Sequence, residues 1–189
     1  MMMGPLELLD LVGLDVAAHI ARSVAPFFGD RLKPHPALER MVELGWLGQK
    51  TATGFYRYKG QTRQRVNPGL RDKLGAAADV PRVKRSQMPE HLRTLTERMV
   101  GLMVNEAAAC FGEGLVERAD VIDLAMVLGT GWAPHRGGPL RYADDRGAAS
   151  VVKGLSFLAQ KYGPRFEPCA ELRRRAESGE AFYGELPRP

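Results

Sequence analysis

A carboxylate on an apolar helix face is the first place to look for chemistry, because it must find a hydrogen-bond donor or take up a proton, and either state can serve proton transfer. Glu106 sits this way within residues 89–112, where Leu92, Leu95, Met99, Leu102, Met103 and Cys110 recur at spacings of three and four. It is a candidate general base; the simpler reading is a structural carboxylate bonded to a backbone N–H or an Arg. Asp10 and Asp144 each stand one turn into a helix and read as tethers for the turns beside them. His19, His35, His91 and His135 lack metal-ligand spacing and lie apart from any Cys or carboxylate cluster. Gly129-Thr130-Gly131-Trp132-Ala133-Pro134 follows a helix rather than a strand and has Pro where a dinucleotide loop needs its third glycine. No GxxxxGK[ST] loop and no GxSxG elbow occur. The residues alone present no complete catalytic set.

The elements that position these groups are repeated. Residues 4–45 realign on residues 138–179 with a constant offset of 134 and no gap, pairing Gly4 with Gly138, Pro5 with Pro139, Asp10 with Asp144, Gly13 with Gly147, Gly29 with Gly163 and Pro34 with Pro168. A gap then brings Phe55-Tyr56 onto Phe182-Tyr183. The matched positions are punctuation as well as core. Pro5 and Pro139 suit the first turn of a helix, and Gly29 and Gly163 suit its end. Ahead of the second copy, residues 89–112 predict a long helix, and Asp120 with Asp123 predicts the capped start of another through Leu128. The first copy has no counterpart for these two helices. Residues 59–88 are basic, weakly periodic and rich in Gly and Pro, and read as a connector with a brief helix near 70–74.

Composition bounds the rest. A chain of 189 residues can bury a core, and no apolar run approaches the roughly 18 residues of a membrane span. The first five residues lack the pattern of a signal peptide, so a cytoplasmic location is expected. Cys110 and Cys169 are too few for a disulfide framework and read as reduced. The net charge of +5 is scattered over Lys59, Arg63, Arg65, Arg71, Lys73, Arg82, Lys84 and Arg85 and the run Arg173-Arg174-Arg175. That pattern suits a solvated linker and a helix surface, and nucleic acid is not expected as a partner.

At this point the residues resemble a known family. MGPLELLDLVGLDV at residues 3–16 and GQKTATGFYRY at 48–58 resemble the C-terminal domain of 3-hydroxyacyl-CoA dehydrogenases. MVNEAAACFGEGLVERADVIDLAMVLGTGWAPHRGGPLRYADDRG at 103–147 resembles the second copy of that domain in the multifunctional α-subunits of fatty-acid β-oxidation complexes. The resemblance implies an all-α chain with a truncated first copy (1–58), a basic linker (59–88) and a second, non-catalytic copy (89–189). It implies a parent that oxidises 3-hydroxyacyl-CoA with NAD, the NAD and a His–Glu pair being held by a Rossmann domain outside this sequence. An enoyl-CoA hydratase domain is expected upstream of that. In the family an Asn early in the long helix assists catalysis; the second copy has Glu97-Arg98 there, so no catalytic, cofactor-binding or metal-binding residue is expected within the chain. Met3 and Pro5 are the candidates for lining the acyl tunnel. Self-association is expected through the uncovered first copy, along Leu6, Leu9, Val12, Val16 and Ile20. The alternative function is a stand-alone, non-enzymatic helical scaffold for dimerisation.

Overall fold

A computed structural model describes residues 3–29, 34–75 and 90–184, and within the helix that opens the last segment it describes side chains from residue 95. Arg82, Lys84, Arg85 and the side chains of His91 and Leu92 lie outside this set, as do residues 76–88 of the expected connector. The chain divides into two compact units, residues 2–83 and 84–189.

The first unit runs α1 (Pro5–Val12), α2 (Leu14–Phe28), α3 (Pro36–Glu43), β1 (Tyr56–Lys59), β2 (Thr62–Val66) and α4 (Gly69–Leu74). Pro5 occupies the first turn of α1, where a missing N–H costs nothing. Gly13, at φ 104°, ends α1 and starts α2 without a break longer than one residue. Leu14, Ala18 and Met41 are fully buried and hold α1, α2 and α3 to the segment that follows. β1 and β2 pair antiparallel, Tyr58 opposite Arg63 and Lys59 opposite Thr62, with an irregularity between Tyr56 and Tyr58. The stretch beginning at residue 59, expected as a connector, is therefore folded through residue 74. It supplies the second strand of a short hairpin and then α4, and Trp46 packs so closely on Gly69 that a Cβ there would lie 2.5 Å from the ring. The all-α expectation holds for the helical framework, with this two-stranded hairpin added to it among the described residues.

The second unit runs α5 (Glu90–Gly112), α6 (Ala119–Thr130), α7 (Pro139–Arg146), α8 (Ala148–Tyr162) and α9 (Ala170–Ser178). The offset of 134 carries the bounds of α1 onto α7 and of α2 onto α8 residue for residue, and Pro36 of α3 onto Ala170 of α9. The core is Val104, Ala107, Ala108, Leu140, Ala143, Leu155, Leu158, Phe166 and Leu172, with Trp132 and Phe182 closing it. The buried face of α5 is therefore the small one. Leu95 and Met99, expected on the core stripe, are exposed, while Val104, Ala107 and Ala108 face inward. Alanine at those positions lets the backbones of α5 and α7 approach, which longer side chains would prevent.

Leu140 is fully buried at the start of α7. Truncation to alanine should destabilise the second unit by about 2–5 kcal/mol through lost apolar burial and the cavity left behind. Urea unfolding followed by Trp132 fluorescence in a Trp46→Phe background measures it.

Candidate functional site: carboxylate tethers and an apolar cavity

The carboxylate of Asp10 is fully buried, and a charge so placed needs donors around it. Its Oδ1 accepts from the Phe55 N–H at 2.9 Å, and its Oδ2 accepts from the Tyr56 N–H at 2.9 Å and the Tyr58 hydroxyl at 3.1 Å. The tether thus reaches across more than forty residues, from α1 to the strand entry, rather than serving a local turn. Two glycines make room for it. A Cβ on Gly48 would stand 2.2 Å from the Asp10 carbonyl oxygen, and one on Gly54 would stand 2.0 Å from Oδ1. Burial and the Asp10 carboxylate together push the Tyr58 hydroxyl well above its ordinary pKa, so it stays a donor.

The second unit repeats the device. Asp144 Oδ1 accepts from the Phe182 N–H at 2.8 Å and Oδ2 from the Tyr183 N–H at 2.9 Å. The sequence equivalence of Asp10 with Asp144, and of Phe55-Tyr56 with Phe182-Tyr183, is therefore an equivalence of hydrogen bonds.

A third carboxylate has no partner copy in the first unit. Asp123 was expected to complete a cap with Asp120 at the start of α6. Instead α6 begins after Arg118 with no side-chain cap, and Asp120 is exposed and ion-paired to Arg118. That guanidinium holds the Asp120 carboxyl below the usual carboxylate range. Asp123 is buried and turned toward α7, where its two oxygens accept from the Leu140 and Arg141 N–H groups, each at 2.8 Å. These are orphan donors of a helix N-terminus, and a carboxylate there is favoured by both hydrogen bonding and the helix dipole. Tyr183 donates its hydroxyl to Asp123 at 2.7 Å, so one tyrosine joins both tethers through its N–H and its ring. Gly138, at φ 117°, precedes α7 in a conformation suited to glycine, and a Cβ there would strike Asp123 at 2.3 Å.

Asn105 is a further positioning residue that sequence reading passed over in favour of its neighbour. It is buried, donates to the Glu167 carbonyl at 2.9 Å and accepts the Cys169 N–H at 2.8 Å, pinning the entry of α9 to α5. The signal was available: an Asn flanked by Val104 and the Ala run on the small-residue face. Glu106 is half-buried and has a partner, and it is not a lone acid on an apolar stripe. At the end of α9, Arg175 is nearly buried, binds Glu171 Oε1 at 2.6 Å, donates to the Ala181 carbonyl, and lies over the Phe182 ring. The Arg174 guanidinium, with Arg175 beside it, holds the Glu171 carboxyl below its ordinary pKa against the opposing effect of burial.

Met3 is half-buried and Pro5 is exposed at the first turn of α1. Neither lines the cavity that lies within the second unit between α5, α7 and α8 and holds about 320 Å³. Glu97, the residue standing where the family's catalytic Asn is expected, is exposed at the cavity rim. Among the described residues no group of three or more His, Cys, Asp or Glu could hold a metal ion, and no helix is long and apolar enough to cross a membrane.

Fold and tethers define a class: tandem helical units of one ancestry, each locked by an Asp one turn into its first Pro-started helix. The model of the 3-hydroxyacyl-CoA dehydrogenase C-terminal domain matches residues 1–58 and 95–183, and the chain belongs to that family. It is 36% identical over 191 residues to the fatty acid oxidation complex subunit alpha of Acinetobacter baumannii (strain SDF). That match takes in 96% of this chain and 25% of the relative, so the chain spans about a quarter of the length of that protein. Among solved structures, 3-hydroxybutyryl-CoA dehydrogenase from Escherichia coli K12 superposes with a TM-score of 0.65 at 23% identity, over 94% of this chain and 52% of that one. The dehydrogenase part of multifunctional enzyme 1 from C. elegans gives 0.58 at 24% identity, over 91% and 38%. Both likenesses concern the fold.

Two outcomes test the tethers. Asp123→Ala strands two N–H groups and a tyrosine hydroxyl, and should cost the second unit at least about 3 kcal/mol, with Tyr183→Phe costing nearer 1 kcal/mol; denaturant titrations of both variants decide it. Glu171 titrates lower in the folded protein than unfolded, so its ion pairs stabilise fully above the unfolded pKa and are lost as pH falls through the depressed folded value. Glu171→Gln should therefore lower the Tm at pH 7, and the gap to the parent should narrow progressively in thermal melts as the pH falls below the ordinary range of a glutamate.

Proposed function

We propose that this chain is the C-terminal part of an L-3-hydroxyacyl-CoA dehydrogenase of fatty-acid β-oxidation, an enzyme oxidising 3-hydroxyacyl-CoA to 3-oxoacyl-CoA with NAD. In this reading the first unit forms the acyl-side wall of the substrate cleft and docks the domain that carries NAD. Met3 and Pro5, at the turn into α1, line the acyl tunnel. The second unit, from about residue 89, is a non-catalytic duplicate, and the parent also carries a hydratase domain. NAD is held by the parent's dinucleotide domain, and this chain contributes no ligand to it. The parent works in the cytoplasm.

The observation that carries this reading is a difference between the two copies. In the second unit α5 and α6 cover the α7–α8 pair, and Asp123 caps α7. In the first unit α1 and α2 keep an apolar face open: Leu6, Leu8, Leu11, Val12, Val16 and Ile20 are each more than 40% exposed, where the second unit has the buried Leu140, the half-buried Tyr142 and the exposed but polar or small Asp145, Arg146, Ser150 and Gly154. The N–H groups of Leu6 and Glu7, equivalent to those Asp123 binds, have no side-chain acceptor among the described residues. An apolar face of this extent with uncapped donors at its edge is suited to burial against further protein. The bare face supports self-association equally well, which is what keeps a non-enzymatic dimerisation scaffold as the second reading.

The purified chain should produce no NADH from 3-hydroxyacyl-CoA, and a longer protein containing it should. Val16→Asp in that longer protein should cut the rate by at least tenfold, because it places a charge in the proposed interface. NADH formation by the isolated chain, or a longer protein with no dehydrogenase activity, would overturn the reading; a concentration-dependent dimer of that inactive longer protein, abolished by Val16→Asp, would favour the scaffold.

A further inference from the structure

The two copies diverge where the second unit has its cavity. The offset pairs Leu8 with Tyr142, Val12 with Arg146, Val16 with Ser150 and Ile20 with Gly154. In the first unit these four positions form an exposed apolar stripe. In the second they bring two hydroxyls, one guanidinium and one position with no side chain to the lining of the cavity. Its floor is apolar: Val100 and Val104 from α5, and Val151, Leu155 and Leu158 from α8. The volume of about 320 Å³ falls at the lower end of small-molecule sites, which combine such a floor with a few placed polar groups.

Gly154 is what keeps the cavity open on the α8 side. A Cβ there would meet nothing within 4 Å, so packing does not demand glycine at this position, and glycine inside a helix costs about 0.5–1 kcal/mol relative to alanine. Gly101 on α5 does face a packing demand, since its Cβ would lie 3.3 Å from Leu155 Cδ2.

Arg146 sets the polarity of the mouth. Its guanidinium donates to the Tyr142 hydroxyl at 2.6 Å and lies 5.5 Å from the centroid of the same ring, and it has no carboxylate partner among the described residues. A planar guanidinium held in this way is prepared to receive a carboxylate or phosphate. Glu97 also reaches the rim, but it is exposed and, among the described residues, no hydrogen bond fixes it.

We propose that the cavity between α5, α7 and α8 is a binding site for a single-chain amphiphile, its aliphatic chain on the valine and leucine floor and its anionic head group on Arg146. The proposal needs only this chain and does not rest on the dehydrogenase reading.

The test titrates the full 189-residue protein, methyl-labelled at Val and Leu, with decanoate, decan-1-ol and decylammonium, each below its micelle concentration, by NMR and calorimetry. Decanoate should saturate, shifting the methyls of Val151, Leu155 and Leu158. Arg146→Gln should weaken decanoate at least tenfold and leave decanol unchanged. Gly154→Leu should fill the cavity and abolish binding of all three probes, with the helical circular dichroism unchanged; Arg146→Gln, on the rim, remains decisive if that variant does not fold. The proposal is overturned by an absence of saturable binding, by decanoate affinity indifferent to Arg146→Gln, by decylammonium binding more tightly than decanoate, or by shifts confined to Val12 and Val16 of the first unit.

Discussion

The structure depends on carboxylates, Asp10 fully buried and Asp144 half-buried, that take up backbone N–H groups far away in sequence. A helix of eight residues such as α1 or α7 is too short to persist on its own propensity. Its direction must be fixed by something other than its own hydrogen bonds. Asp10 and Asp144 do this by reaching from the Pro-started helices α1 and α7 to the Phe-Tyr segment that closes each unit. A carboxylate accepting two backbone donors holds two peptide planes in a set orientation, so the closing segment has one way to lie. The close approach of Gly48 and Gly54 to Asp10 shows how little space the arrangement leaves.

The two units satisfy the rest of that segment by different means. The carbonyl of Gly54 accepts from the buried Asn67 side chain at 2.8 Å. Its counterpart, the Ala181 carbonyl, accepts from Arg175, which the offset pairs with Met41 of the first unit. Met41 is fully buried, and Arg175 is nearly so, with its charge met by Glu171 and its plane on Phe182. An apolar side chain and a paired guanidinium thus fill the same place once the local donor has been supplied from elsewhere. Duplication preserved the tether and let its surroundings drift.

The same drift separates the outer faces. In the second unit the α7–α8 surface is covered by α5, and what is left open has become a cavity with a polar rim. In the first unit the equivalent surface keeps leucine, valine and isoleucine in the open. Apolar area is worth about 25 cal/mol per Å² when buried, so a bare stripe of this kind is a standing drive toward association.

Much of this was legible in the residues. Pro and Gly punctuation repeated at a fixed offset determined the helix bounds of α1, α2, α7 and α8, because these residues act through local backbone geometry. Asp10 and Asp144 were legible as tethers for the same reason, though not what they tether. Of the hairpin at 56–66 only the first strand was legible, as an extended segment in which Tyr56 and Tyr58 alternate with Arg57 and Lys59; the second, Thr62–Val66, is almost wholly polar and exposed and carries no such alternation. Nor was the core face of α5: its leucines and methionines give the stronger periodicity, but close packing against α7 selects Val104, Ala107 and Ala108. Asp123 shows the limit most clearly. Sequence supplies an acid near the start of a helix, and local rules make it a partner in that helix's own cap. Only the packing of α6 beside the start of α7 offers it two unpaired N–H groups and a tyrosine hydroxyl instead, and three donors in a buried site outweigh a cap that solvent can replace.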